Sequence, residues 1–174
     1  MKNPNMQLWA EDEVHFQRHS TLIRMWSLVG RQPRVVSAST REKVGFLGAI
    51  NLKTGCLLTK TAPVFNADTF GEFIEHLLGR TQGKIFLILD NARWHRAKAL
   101  KQFFIKNQHR IVRVYLPPYS PELNPIERVW RITRRLVTHN RYFETTEALE
   151  ADLTLQFAKW QQSNDALKTL CANI

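Results

Sequence analysis

The sequence predicts an α/β fold, a mixed β-sheet flanked by α-helices, and three observations carry that prediction. The first third of the chain alternates apolar and polar residues with the period of a strand. A helical stripe then appears at Phe70, Phe73, Ile74, Leu77 and Leu78. After it, short apolar runs alternate with helix-period segments, the order expected of strands connected by helices that cover the sheet.

The elements follow in order. "QLWAEDEVHF" (7–16) predicts a strand with Leu8, Ala10, Asp12 and Val14 on one face and Trp9, Glu11 and Glu13 on the other. "TLIRMWSLV" (21–29) and "RVVSAS" (34–39) read as further strand pieces, broken by Gly30 and Pro33. "KVGFLGAIN" (43–51) and "CLLTKTAPV" (56–64) flank "LKTG" and predict a hairpin. The helix over the Phe70 stripe has Asn66 or Asp68 as its cap and Gly79 as its end. "KIFLILDNA" (84–92) is a continuous apolar run, the pattern of a strand buried on both faces. A helix over about 96–107 and a strand at 110–117 come next. "YLPPYSPELNPIERVW" (115–130) leads into a helix from Pro125 to about Val137, and a last helical segment, about 145–162, carries Leu149, Leu153, Phe157 and Trp160.

The chain has 174 residues and no linker-like break, so a single domain is expected, 1–174, with a C-terminal helical segment at about 145–174. Its apolar fraction of 44% is enough to build a core. The 25 Lys and Arg against 15 Asp and Glu leave a net charge of +10, which favours a polyanionic partner. No apolar run approaches the roughly 20 residues of a membrane span, so nucleic acid is the expected polyanion and the cytoplasm the expected compartment. Cys56 and Cys171 have no metal-binding spacing and read as reduced thiols.

Three carboxylates invite a chemical reading, and each has a bland alternative. Asp90 ends the apolar run 84–92, where α/β sheets collect ligands; it also fits a turn or cap aspartate. Asp12 sits on the first strand, where an ion pair with an arginine would explain it equally well. Glu127 stands three places after Asn124, and with Pro125 between them this is a capping-box arrangement. The four prolines of 115–130 are more steering than a cap worth about 1 kcal/mol requires. Three carboxylates on separate elements of a basic protein suit hard divalent cations and a phosphodiester substrate.

"EDEVHF", "LILDNARWH" and "LPPYSPELNPIERVW", in this order, resemble the catalytic domain of DDE transposases, in particular the bacterial insertion-sequence branch of the mariner superfamily. The resemblance spans about Leu8 to Trp160. It implies a ribonuclease-H-like fold and a catalytic, metal-binding triad of Asp12, Asp90 and Glu127, with 36 residues between the last two. It further implies Mg²⁺, with Mn²⁺ as a substitute, and two ions per active site. DNA strand cleavage at a transposon end and 3′-hydroxyl strand transfer would be the reaction, and a homodimer the acting unit. Relatives usually carry N-terminal helix-turn-helix regions. The first catalytic strand begins within ten residues of Met1, so recognition by a separate or frameshift-fused upstream segment is expected.

Other residues are weighed beside this. Arg128, Arg131, Arg134 and Arg135 crowd the helix after Glu127 and are candidates for DNA contact, against a merely solvated face. His95 is a candidate for a phosphate contact or for orienting a water near the site, against a local structural role. Trp26 and Trp94 are candidate stacking platforms; Trp9, Trp130 and Trp160 fit core stripes. Tyr119, between Pro118 and Ser120, reads as a residue that holds its loop. The competing functions are a nuclease of the same fold without strand transfer, and a non-catalytic DNA-binding remnant.

Overall fold

A computed structural model describes residues 6–172. Residues 1–5 and 173–174, part of the expected 1–174 domain, lie outside the described residues. Five strands form one sheet: β1 (Met6–Gln17), β2 (Lys43–Asn51), β3 (Leu57–Thr61), β4 (Lys84–Leu89) and β5 (Ile111–Tyr115). Their spatial order is β3-β2-β1-β4-β5. β1, β2 and β3 pair antiparallel, while β4 and β5 run parallel to β1.

The helices are α1 (Ala67–Arg80), α2 (Lys101–Lys106), α3 (Ile126–Thr133), α4 (Thr146–Ala158) and α5 (Asp165–Ala172). Side-chain alternation along the strands sends two cores to opposite faces. Trp9, Leu47, Ile85, Leu87 and Leu89 pack under α1 and α2. Ala10, Val14, Phe46 and Ile50 pack under α3, α4 and α5 with Ile126, Trp130, Leu149, Leu153 and Phe157. Asn66 caps α1 by accepting from the Asp68 and Thr69 amides, and the Thr69 hydroxyl answers the Asn66 amide. Gly79 lies inside that helix, which ends at Arg80.

Three expectations are corrected. Residues 21–29 and 34–39 form no strand; between β1 and β2 the chain makes only an isolated bridge from Thr21 to His139. β1 already has β2 and β4 on its two sides, and β2 has β1 and β3, so the segment that joins them finds no free ladder beside either; the open edges lie at β3 and β5. Its apolar residues stay exposed, Trp26 at 99%. The helix expected over 96–107 is broken into 3₁₀ turns at Arg93–Arg96 and Lys98–Leu100 before α2. None of these starts has a side-chain cap. β4 is wholly buried on the α1 face only; Phe86 and Ile88 on the other face are partly buried. Among the described residues, no helix is long and apolar enough to cross a membrane.

Candidate active site

The parallel register of β1 and β4 pairs Ala10 with Ile88. Carried forward two residues, it sets Asp12 beside Asp90, both on the α3 side of the sheet. Glu127, in the first turn of α3, completes the group. Asp12, Asp90 and Glu127 line one cleft of about 450 Å³, whose far wall is the 116–121 loop. The structure thus brings together the three carboxylates expected from the sequence.

Each aspartate is held by one of its oxygens. Asp12 Oδ2 accepts a hydrogen bond from Trp130 Nε1 at 3.1 Å. Asp90 Oδ1 accepts from the Ala92 amide at 2.8 Å and lies 3.0 Å from His95 Nδ1. The consequences for acidity differ. Burial, the Glu127 charge and the Glu13 charge push the Asp12 carboxyl up to about 8, against the Trp130 hydrogen bond. The His95 hydrogen bond outweighs burial at Asp90 and, with the Ala92 amide, lowers that carboxyl.

Trp130 takes its position from a gap in β2. Gly48 lies opposite Asp12 in the β1/β2 ladder, and a Cβ on it would stand 2.3 Å from Trp130 Cη2. The indole therefore lies where any other residue would put its side chain. Trp130 is 1% exposed, as expected of a core residue, yet its N–H also serves the site.

The expected capping box at Asn124 is absent. α3 begins without a side-chain cap; the Glu127 amide bonds the Asn124 carbonyl at 3.2 Å instead. The Asn124 side chain points the other way and donates to the Glu11 carbonyl at 2.9 Å. The β1/β4 ladder ends at Ala10, so that carbonyl has no strand partner there, and Asn124 supplies one. The contact pins the start of α3 to β1. Glu127 is consequently free of the cap that competed for it. The other side-chain atom, Asn124 Oδ1, is buried without a hydrogen-bond partner at the edge of the same cleft.

A second group of ionisable residues lies on the opposite face of β1. His95 is fully buried; Nε2 is 3.0 Å from Glu13 Oε1 and 3.5 Å from Glu11 Oε2. Burial opposes charge on the ring, but Asp90, Glu13 and Glu11 outweigh it and raise His95 to about 10. Burial, then the charge of Glu13, raises Glu11, whose two oxygens lack hydrogen-bond partners. Coordinating atoms of Glu11, Glu13 and His95 lie within 4.8 Å of one another. His95 has no surface for a DNA phosphate, which corrects that expectation. Trp94 is partly buried, and its Nε1 donates to Glu13 at 2.6 Å. Tyr119 does not hold its loop by packing: it is fully exposed, with a left-handed φ of 56°.

The arginines divide by role. Arg128 donates to the Leu170 carbonyl at 3.0 Å and so ties α5 to α3. The Arg134 guanidinium stands over the Phe16 ring at 5.5 Å. Arg131 and Arg135 are exposed and make no ion pair among the described residues. They border an open pocket with Arg128, Ile23 and Ile132.

Residues 7–150 match the family of DDE superfamily endonucleases. The chain belongs to that family. The chain is 30% identical over 135 residues to the insertion element IS630 uncharacterized 39 kDa protein of Shigella sonnei, covering 76% of this chain and 39% of that one. It is 45% identical over 58 residues to the uncharacterized protein y4pE/y4sA of Sinorhizobium fredii, covering 33% of this chain and 39% of that one. The chain therefore spans about two fifths of the length of the curated relatives it matches. Among solved structures, the Mos1 transposase in its paired-end complex superposes with a TM-score of 0.69 at 16% identity, over 92% of this chain and 49% of that one. The catalytic core domain of BIV integrase gives a TM-score of 0.56 at 20% identity, over 87% and 81%. At these identities the likeness establishes the fold, the ribonuclease-H-like core expected from the sequence.

Proposed function

We propose that this DDE endonuclease is the catalytic domain of a transposase, cutting DNA strands and joining the freed 3′-hydroxyl to target DNA with divalent cations. The observation that carries this reading is the convergence of Asp12 from the middle of β1, Asp90 from just past β4 and Glu127 from the first turn of α3 on one cleft. The donor set fits Mg²⁺ or Mn²⁺: three hard carboxylate oxygens, and a buried amide oxygen on Asn124 with no partner. Burial first, then the Glu127 and Glu13 charges, raise the Asp12 carboxyl, and a bound cation would offset both.

Asp12, Asp90 and Glu127 would hold the metal, two ions in the fuller form of the reading. Bound there, the ions would activate the attacking oxygen and stabilise the leaving one. The protein's own part is placement. Trp130 orients Asp12 and Asn124 fixes the start of α3, which leaves an oxygen of each aspartate turned to the cleft. Strand cleavage of DNA with Mg²⁺ or Mn²⁺, beside an Asp90→Ala control, tests the assignment; activity surviving the substitution rejects it.

DNA would lie along the basic flank of α3 and of the helical turn Arg134–Thr138 that continues it. Arg131 and Arg135 are the exposed pair there, so replacing both with Ala is expected to weaken DNA binding. The slope of log K against log salt should become shallower by about 1–2. Unchanged salt dependence in a filter-binding titration would remove these two residues from the interface.

The acting unit in this reading is a homodimer, and a separate or fused helix-turn-helix segment supplies end recognition. The exposed apolar side chains of Leu22, Met25, Trp26 and Leu28 offer a surface for a second copy. Sedimentation equilibrium should show a dimer that Trp26→Asp weakens; a monomer at high concentration would count against it.

A further inference from the structure

We propose that Glu13, His95 and Trp94 form a buried strut that fixes the Asp90 carboxylate relative to Asp12 from the far side of the sheet. The inference rests on the reading of Asp12 and Asp90 as metal-binding residues, and it makes His95 a positioning residue for them.

The contacts run in series. Trp94 Nε1 donates to Glu13 Oε1 at 2.6 Å, and the same oxygen is 3.0 Å from His95 Nε2. The other ring nitrogen, Nδ1, is 3.0 Å from Asp90 Oδ1. Glu13 is the peptide neighbour of Asp12, and strand alternation sends the two side chains to opposite faces. One chain of bonds therefore leads from the Asp12 backbone, under the sheet end, to the Asp90 carboxylate.

The ring has little freedom to do anything else. It is 0% exposed and lies against Phe70, with centroids 4.3 Å apart. Its own backbone carbonyl accepts from Arg113 Nη1 at 2.9 Å and from Tyr115 Oη at 3.1 Å, which ties it to β5. A histidine that only filled space would not need both ring nitrogens directed at carboxylates from two adjacent strands, Glu13 in β1 and Asp90 just past β4. The effect on Asp90 is specific: Oδ1 accepts from the Ala92 amide and lies 3.0 Å from Nδ1, while the Asp90 carbonyl is 3.5 Å from the same nitrogen, which leaves Oδ2 for the cleft. A half-exposed aspartate at a strand end would otherwise sample several rotamers. Supports of this kind typically change metal affinity or rate about 10–100-fold when removed.

Two conservative substitutions separate the strut from plain packing. His95→Asn places an amide near Nδ1 and keeps the link to Asp90. His95→Gln places one near Nε2 and keeps the link to Glu13 alone. Manganese-dependent nicking of supercoiled plasmid by the full chain is the rate, with melting temperature and a calorimetric Mn²⁺ titration alongside. The expected result is a fall in kcat of about 10–100-fold for His95→Gln, with weaker Mn²⁺ binding and unchanged KM for DNA. His95→Asn should lose distinctly less at similar melting temperature. Equal rates in both, or losses that merely follow melting temperature, would overturn the strut. If neither variant folds, Trp94→Phe keeps the ring and removes the terminal N–H; about a 3–10-fold loss is expected, and a wild-type rate would overturn the proposal. Mn²⁺ still bound by an Asp12→Ala, Asp90→Ala, Glu127→Ala chain and lost on Glu11→Gln would also overturn it, in favour of a cation between Glu11, Glu13 and His95. Asp90→Ala and Glu127→Ala report separately on the site. If they still nick, the site reading fails; if they are silent while His95→Gln is as fast as wild type, only the strut does.

Discussion

Asp12→Asn is expected to stabilise the metal-free protein while removing its metal-dependent cleavage of DNA. In the folded chain the carboxyl titrates at about 8, against 3.8 for an ordinary aspartate. Between these values the folded state holds a proton that the unfolded state has lost. The group's stabilising contribution is therefore full below about pH 4 and is lost as pH rises through about 8. Asparagine stays neutral and keeps an oxygen for Trp130 Nε1, so its advantage grows over the same window. The gain at pH 8 is expected to be on the order of 1–3 kcal/mol, less than the full shift implies because a cleft admits water on ionisation. Melting curves between pH 5 and 8 without metal check it: the two proteins should converge at the acid end and separate at the alkaline end. Saturating Mn²⁺ should reverse the order, because only the wild type binds it well. A variant less stable than wild type at pH 8 without metal would contradict the charge-crowding account.

Gly48→Ala is expected to damage both fold and site, although Gly48 touches no substrate. The added Cβ would meet Trp130 Cη2 at 2.3 Å, so the indole and with it α3 must move. Overpacking of this kind costs about 1–3 kcal/mol. Displacement of Glu127 and of the Trp130 hydrogen bond to Asp12 should lower cleavage by about 10²-fold, the scale of a 1 Å misplacement at a reacting centre. Trp130→Phe in the same chain should recover stability by making room, but not rate, since phenylalanine has no N–H for Asp12. A double-mutant cycle on melting and on cleavage separates the two effects. Wild-type melting and cleavage in Gly48→Ala would show that the close packing is unimportant.

Much of this was legible in the sequence because period and order survive folding. The alternation of β1 already put Asp12 on the face opposite Glu11 and Glu13, and the stripe from Phe70 to Leu77 marked the inner face of α1. What escaped was decided by tertiary contact. The 18–42 segment has strand-like composition, but a strand needs an open ladder, and the two strands it joins, β1 and β2, are both already paired on either side. Asn124 carries every local mark of a cap, yet a carbonyl in distant β1 competes for its side chain and wins. His95 reads as a candidate phosphate contact or a local structural residue at a helix start. Only the fold brings it between Asp90 and Glu13, which lie 77 positions apart in the chain. Spacing alone holds no trace of that link.

The central claim is that Asp12, Asp90 and Glu127 act together on divalent cations. Calorimetric titration with Mn²⁺, run beside plasmid nicking on wild type, Asp90→Ala and Glu127→Ala, tests it most directly. The account predicts saturable Mn²⁺ binding and nicking in the wild type, with both lost or cut by about 10³-fold or more when either carboxylate is removed. Binding and nicking that persist in both variants would contradict it.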